Sequence, residues 1–150
     1  MPSREIEVAA FLRADATLVG MLTGGVYAES SLPEPGITDA VGTPAIWTGG
    51  TFHHCAVVRE RMPVPDYLIQ DEAAQLTSQA QNIEIYVYSR VAANLETAHD
   101  RIYVLMQEHR FTAAWGARWW GGVSNMRAPE LPNVFVAQRT YRIVSLKQAA

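Results

Sequence analysis

The sequence is short of several things, and each shortage closes a class of function. Cys55 is the one cysteine in 150 residues, which excludes an internal disulfide and any multi-cysteine metal site. Lysine is almost missing too: eleven of the twelve basic residues are Arg, and the other is Lys147. No apolar run approaches the ~20 residues that a membrane-spanning helix needs. The opening Met-Pro-Ser-Arg-Glu has no apolar stretch of the kind a secretory signal carries, so folding in a cytoplasm is expected, with no membrane partner. Net charge is only −3, so the whole molecule has no strong pull toward nucleic acid or an anionic surface. The Gly-rich phosphate loops, the His-Glu-x-x-His zinc motif and the Gly-x-Ser-x-Gly elbow are all missing. Gly122-Val-Ser-Asn-Met126 starts like the last and lacks its final glycine. No enzyme and no cofactor are expected.

What is present suffices for one domain over residues 1–150, since 49% of the chain is hydrophobic. The clearest unit runs from Asn82 to His109. Ile83, Ile85 and Val87 alternate with Glu84, Tyr86 and Tyr88, which predicts a strand with a buried face and an aromatic face that is also partly covered. Asn94 stands where an N-cap belongs. Leu95, Ala98, Ile102, Leu105 and Met106 then recur at helical spacing, predicting a helix from Asn94 to about His109. Ser3 and Asp15 read as caps of a first helical unit closed by Gly24-Gly25. Glu29 to Pro44 reads as a loop, long enough to be functional or packed against something. Ala56-Val-Val-Arg59 and Tyr67-Leu-Ile-Gln70 read as a projecting hairpin turning at Met62–Asp66, with prolines confining it to an edge. Gln75 to Gln81 reads as a polar lead into the central strand, Val123–Met126 as a short strand, and Val134 to Leu146 as a last, alternating strand. The order helix, strands, helix, strands predicts an α+β fold. Its sheet is mixed and mostly antiparallel, with an N-terminal helix and a central helix packed on it, plus a projecting hairpin or long loop.

Two places in the chain offer ligand-type side chains. Glu96-Leu-Thr-His99 is a Glu-x-x-His pair on a helix, but a di-iron site needs a second copy and two further Glu, which the chain lacks. A solvated helix face is the plainer reading. In His53-His54-Cys55, neighbouring side chains in an extended chain point to opposite faces, so they do not chelate one ion together. No metal and no catalytic residue is expected.

The Arg bias admits two readings, a GC-rich genome or contact surfaces, where Arg and Trp are enriched. Trp115, Trp119 and Trp120 lie among Arg110, Arg118 and Arg127. This pattern faintly resembles a nucleic-acid site, but core or subunit contact is the expectation. Trp115, Trp119, Trp120, Arg118, Arg61 and Tyr67 are therefore the candidate residues for an oligomer or partner interface.

The stretch Phe11-Leu-Arg-Ala-Asp-Ala-Thr-Leu-Val-Gly-Met-Leu-Thr-Gly-Gly-Val-Tyr27 resembles the opening of the tail-terminator, or tail-completion, family of long-tailed bacteriophages. The Val87-Tyr-Ser-Arg90 strand end, short turn and helix carrying Ala98 are similar to it as well, and so is a closing pair of strands near Val123 to Leu146. Thr43-Pro-Ala-Ile-Trp47 matches the family loosely, and His53 to Gln81 and the tryptophan cluster depart from it. The resemblance implies a homo-oligomeric ring, typically a hexamer, in the neck region of the virion, assembled in the host cytoplasm. Its implied partners are the tail tube protein and the head-side connector or stopper, with genomic DNA passing through the lumen without sequence-specific binding. A neck or head-completion ring protein is the alternative. A small ligand-binding or enzymatic domain is a third reading, which would need a concave site with convergent polar groups.

Overall fold

The computed structural model describes residues 3–32, 46–48, 50–61, 64–71, 76–128, 131 and 133–148. Two short helices open the chain, α1 (Arg4–Arg13) and α2 (Ala16–Met21). The Asp15 carboxylate accepts from the Leu18 N–H at 2.8 Å and so caps α2 as expected. Ser3 precedes α1, but its hydroxyl makes no capping bond. Strand β1 (Gly25–Ala28) follows, then one 3₁₀ turn at Glu29–Ser31. The rest of the expected long loop, 33–45, lies outside the described residues. A small two-stranded sheet pairs β2 (Trp47–Thr48) with β3 (Thr51–Phe52).

The main sheet contains β1, β4 (Cys55–Glu60), β5 (Val64–Asp71), β6 (Leu76–Ser89), β7 (Arg118–Arg127) and β8 (Phe135–Gln148). Its order is β1-β4-β6-β8-β7, and β5 pairs with β6. Only β1 and β4 run parallel; the other pairs are antiparallel. The expected mixed, mostly antiparallel sheet is what forms.

Three expectations about the sheet are corrected. The central strand starts at Leu76, not Asn82, because the supposed polar lead pairs residue for residue with the end of β8, from Leu76↔Gln148 onward. The expected hairpin between Ala56–Arg59 and Tyr67–Gln70 does not exist. β4 pairs with Ile83–Tyr88 and β5 with Leu76–Ala80, so the two lie one after the other along the same edge of β6. Val64 to Asp66, expected in the turn, are already strand. β5 contains Pro65 and lies off the main strand path, paired with β6, in keeping with the confinement of proline to edge strands. The third correction is β7, which spans Arg118–Arg127 and therefore contains Trp119 and Trp120.

The central helix, α3, is Ala92–Met106. Its N-cap is Val91 rather than Asn94, and Ser89 Oγ accepts the Val91 N–H at 3.0 Å instead. Leu95, Ala98, His99, Ile102 and Met106 are its buried residues. Leu95, Ala98, Ile102 and Met106 pack with Val8, Leu12 and Leu18 over Ile83, Ile85, Val87, Ala137 and Tyr141. Each fully buried Leu, Ile or Met contributes roughly 1.5–3 kcal/mol, so this one face holds most of the core. Asp15 ties the layers together: Arg101 of α3 donates to both its carboxylate oxygens, at 2.6 and 2.9 Å. The other sheet face carries a second, smaller core. Ile46, Phe52, Cys55, Leu131, Val134 and Val136 pack there with Tyr86 and Tyr88, which explains why that face of β6 is aromatic.

Candidate assembly surface

β7 is the last strand of the sheet, and it is irregular. Its register to β8 shifts between Trp119 and Gly121 and again between Val123 and Met126. At the first shift Gly121 takes φ 154°, a conformation L side chains rarely adopt. Gly122 lies so close to β8 that a Cβ there would stand 2.9 Å from the Arg139 Cα. Trp-Trp-Gly-Gly is thus a bulge sequence: two large rings, one unusual backbone angle, one close approach. Bulges of this kind interrupt the ladder at sheet edges and re-aim side chains.

The result is that the tryptophans stand out of the molecule. Trp119 is 52% exposed and Trp120 61% exposed, and Trp115, on the preceding loop, is 36% exposed. The core alternative for them is corrected. Trp119 meets Tyr103 of α3 edge-on, with ring centroids 6.3 Å apart, and the Arg139 guanidinium lies 5.7 Å from its centroid. The Arg142 guanidinium lies 4.5 Å from the Trp120 ring centroid. Cations at such distances hold a ring electrostatically and keep it positioned while solvated. Arg139 is itself fixed, donating to Glu96 at 2.9 Å. Tyr103, Val104, Val123 and Met126 are also exposed, and Tyr103 and Val123 lie beside Trp119. Sequence reasoning missed these four, although Val104 falls off the buried stripe of α3 and was legible as exposed.

The six candidate residues do not form one surface. Trp115, Arg118, Trp119 and Trp120 gather at the β7 edge, where Arg118 reaches Glu108 at 3.4 Å. Arg61 follows β4, beyond β6 and β8 from that edge, and ion-pairs with Glu84. Tyr67 lies in β5 on the Arg61 side, and its side chain is outside the described residues.

A shallow cleft of about 210 Å³ runs between α3 and β7, lined by Glu96, Trp119, Gly122, Val123, Gln138 and Arg139 among others. It is smaller than the ~300–1,000 Å³ usual for ligand pockets, and its one cation is already paired with Glu96. The chemistry sought in the sequence is not assembled. No group of three or more potential metal ligands occurs among the described residues. Cys55 is buried, and burial pushes its thiol up to about 12, so it is no thiolate nucleophile. His54 Nδ1 lies 2.6 Å from Ser89 Oγ, but Ser89 is fully buried and its oxygen already holds the Val91 N–H. His99 corrects the solvated-face reading of Glu96-Leu-Thr-His99. It is fully buried, and its Nε2–H donates to the Ala137 carbonyl at 2.9 Å.

Comparison with solved structures adds a relative in shape. The fold is shared with a virion chain. That chain belongs to the structure titled "Virion of native gene transfer agent (GTA) particle". It superposes with a TM-score of 0.60 at 15% identity, covering 93% of this chain and 92% of the other. No family model matches the sequence, and no curated protein is similar to it in sequence. The likeness is therefore one of fold, and it extends over nearly all of both chains.

Proposed function

We propose that this chain is a structural virion subunit that forms a ring closing the tail tube of a phage-like particle. The ring ends tube growth and joins the tail to the head-side connector. The observation that carries the reading is the fold shared, over nearly the full length of both chains, with a chain of a gene transfer agent virion. Two features support it. The exposed Trp ridge on a bulged edge strand has the composition of an interface centre. The cleft between α3 and β7 is small and its Arg is spent on Glu96, so this cleft offers no convergent polar site for a substrate. The sequence resemblance to tail terminators supports the tail-closing role within such a particle. DNA passes through the lumen in this reading, and the tube protein and connector are the neighbours above and below.

The reading is tested by adding the purified protein to polymerising tube subunits of its own particle. Tube growth stops at substoichiometric protein, one ring per tube, if the chain is a terminator. Unchanged tube growth, with rings bound to connector alone, assigns it to the neck instead.

A further inference from the structure

The molecule is divided in charge along the sheet. Among the described residues from 92 to 148, which form α3, β7 and β8, seven cations (six Arg and Lys147) stand against three acids, a net +4. Among the described residues up to 91, which form α1, α2, β1 to β5 and the long strand β6, five Arg stand against eight acids, a net −3. The two edges repeat the division. β7 has Arg118 and Arg127 and no acid; β5 has Asp66 and Asp71 and no base. The exposed tryptophans stand on the positive edge. Opposite charges at the two ends of one subunit attract the unlike ends of two copies and repel like ends. Contact between unlike ends is heterologous, and it closes into a ring when the rotation between copies allows.

We propose that the β7 edge of one copy, with Trp119 and Trp120 at its centre, seats on the acidic β1–β4–β5 end of a second copy, head to tail. This names the contact within the ring proposed above and rests on that reading. The occupant is a second copy because the chain itself supplies the opposite charge at the other end of the sheet; nucleic acid, which the same positive edge would attract, is an outcome of the test. It is also not an added β-strand, because the two register shifts interrupt the main-chain ladder of β7. The contact is made by side chains.

A mixing experiment tests it. One variant combines Trp119→Asp with Trp120→Asp; the other combines Asp66→Lys with Asp71→Lys. Circular dichroism and thermal melts verify folding, and Arg118→Ala with Arg127→Ala replaces the first pair if that variant does not fold. Each variant alone assembles at least tenfold more weakly than the unaltered chain by sedimentation. Mixed one to one, the variants form a heterodimer and nothing larger, since each keeps one intact end. Assembly of the unaltered chain weakens by roughly tenfold as salt rises from about 0.05 to 0.5 M. The inference falls if the tryptophan variant assembles normally, if the mixture stays monomeric, or if the variant loses only DNA binding. The virion reading survives those results when the unaltered chain still forms rings. An unaltered chain that stays monomeric with and without tube subunits removes both.

Discussion

The pH dependence of stability should be governed by His99. Its Nε2–H donates to the Ala137 carbonyl, and its Nδ1 is buried with no hydrogen-bond partner among the described residues. A second proton would go on Nδ1, placing an unpaired charged N–H in the core between α3 and β8. Burial, with a contribution from the Arg139 charge, lowers the His99 pKa from 6.5 to about 4, although the Ala137 bond, Glu96 and Asp100 oppose the shift. The unfolded chain keeps a histidine near 6.5. Above pH 6.5 neither state binds the proton, and His99 costs nothing. As pH falls from 6.5 to 4 the unfolded state binds it first, so stability declines through that window and levels off below it. A separation of ~2.5 pH units at ~1.4 kcal/mol per unit gives a loss of roughly 3 kcal/mol, a large share of the ~5–15 kcal/mol of a typical domain. The assay is urea unfolding at half-unit steps from pH 8 to 4, for the unaltered protein and for His99→Gln, which keeps an N–H donor and does not titrate. The variant should be flatter by about 3 kcal/mol across the window. Parallel curves for the two proteins would refute the reasoning.

Two further outcomes follow from single contacts. Gly122→Val places its Cβ against the backbone of β8, which cannot rotate away; we expect a loss of at least ~1–3 kcal/mol and selective loss of amide protection in β7, read by hydrogen exchange. Asp15→Asn keeps an acceptor for the Leu18 N–H and removes the charge that Arg101 grips. It should lower the melting temperature at pH 7. The Arg101 hydrogen bonds hold the Asp15 pKa below its usual 3.8, so the difference from the unaltered protein should persist above pH 3.8 and vanish as the pH falls through the lowered pKa.

What the sequence disclosed and what it hid have physical reasons. The β6–α3 unit was legible because both periods, two and then 3.6, are clean from Ile83 to Met106. The N-cap is misplaced in the sequence because Asn94 has the chemistry of a cap, while the true entry at Val91 is held by Ser89, two residues earlier. His99 reads from sequence as part of a solvated face because its neighbours Glu96 and Asp100 are polar. Its spacing was informative all the same, since 95, 99, 102 and 106 are one helical stripe. The pairing of β4 and β5 was illegible, because both compete for one edge of β6 and nothing local says which part each takes. β7 was half seen: Val123–Met126 read as strand, but the bulge at Trp119–Gly121 breaks the alternation by which strands are recognised. The candidate surface inherits that limit. The tryptophans were selected for composition, and only the bulge shows that they point outward.

The central claim is that this fold caps a tube. Electron microscopy of the purified protein mixed with tube subunits of the same particle tests it most directly. The account predicts rings seated at one end of each tube and nowhere else. Rings found free beside bare-ended tubes, or protein scattered along tube walls, would contradict it.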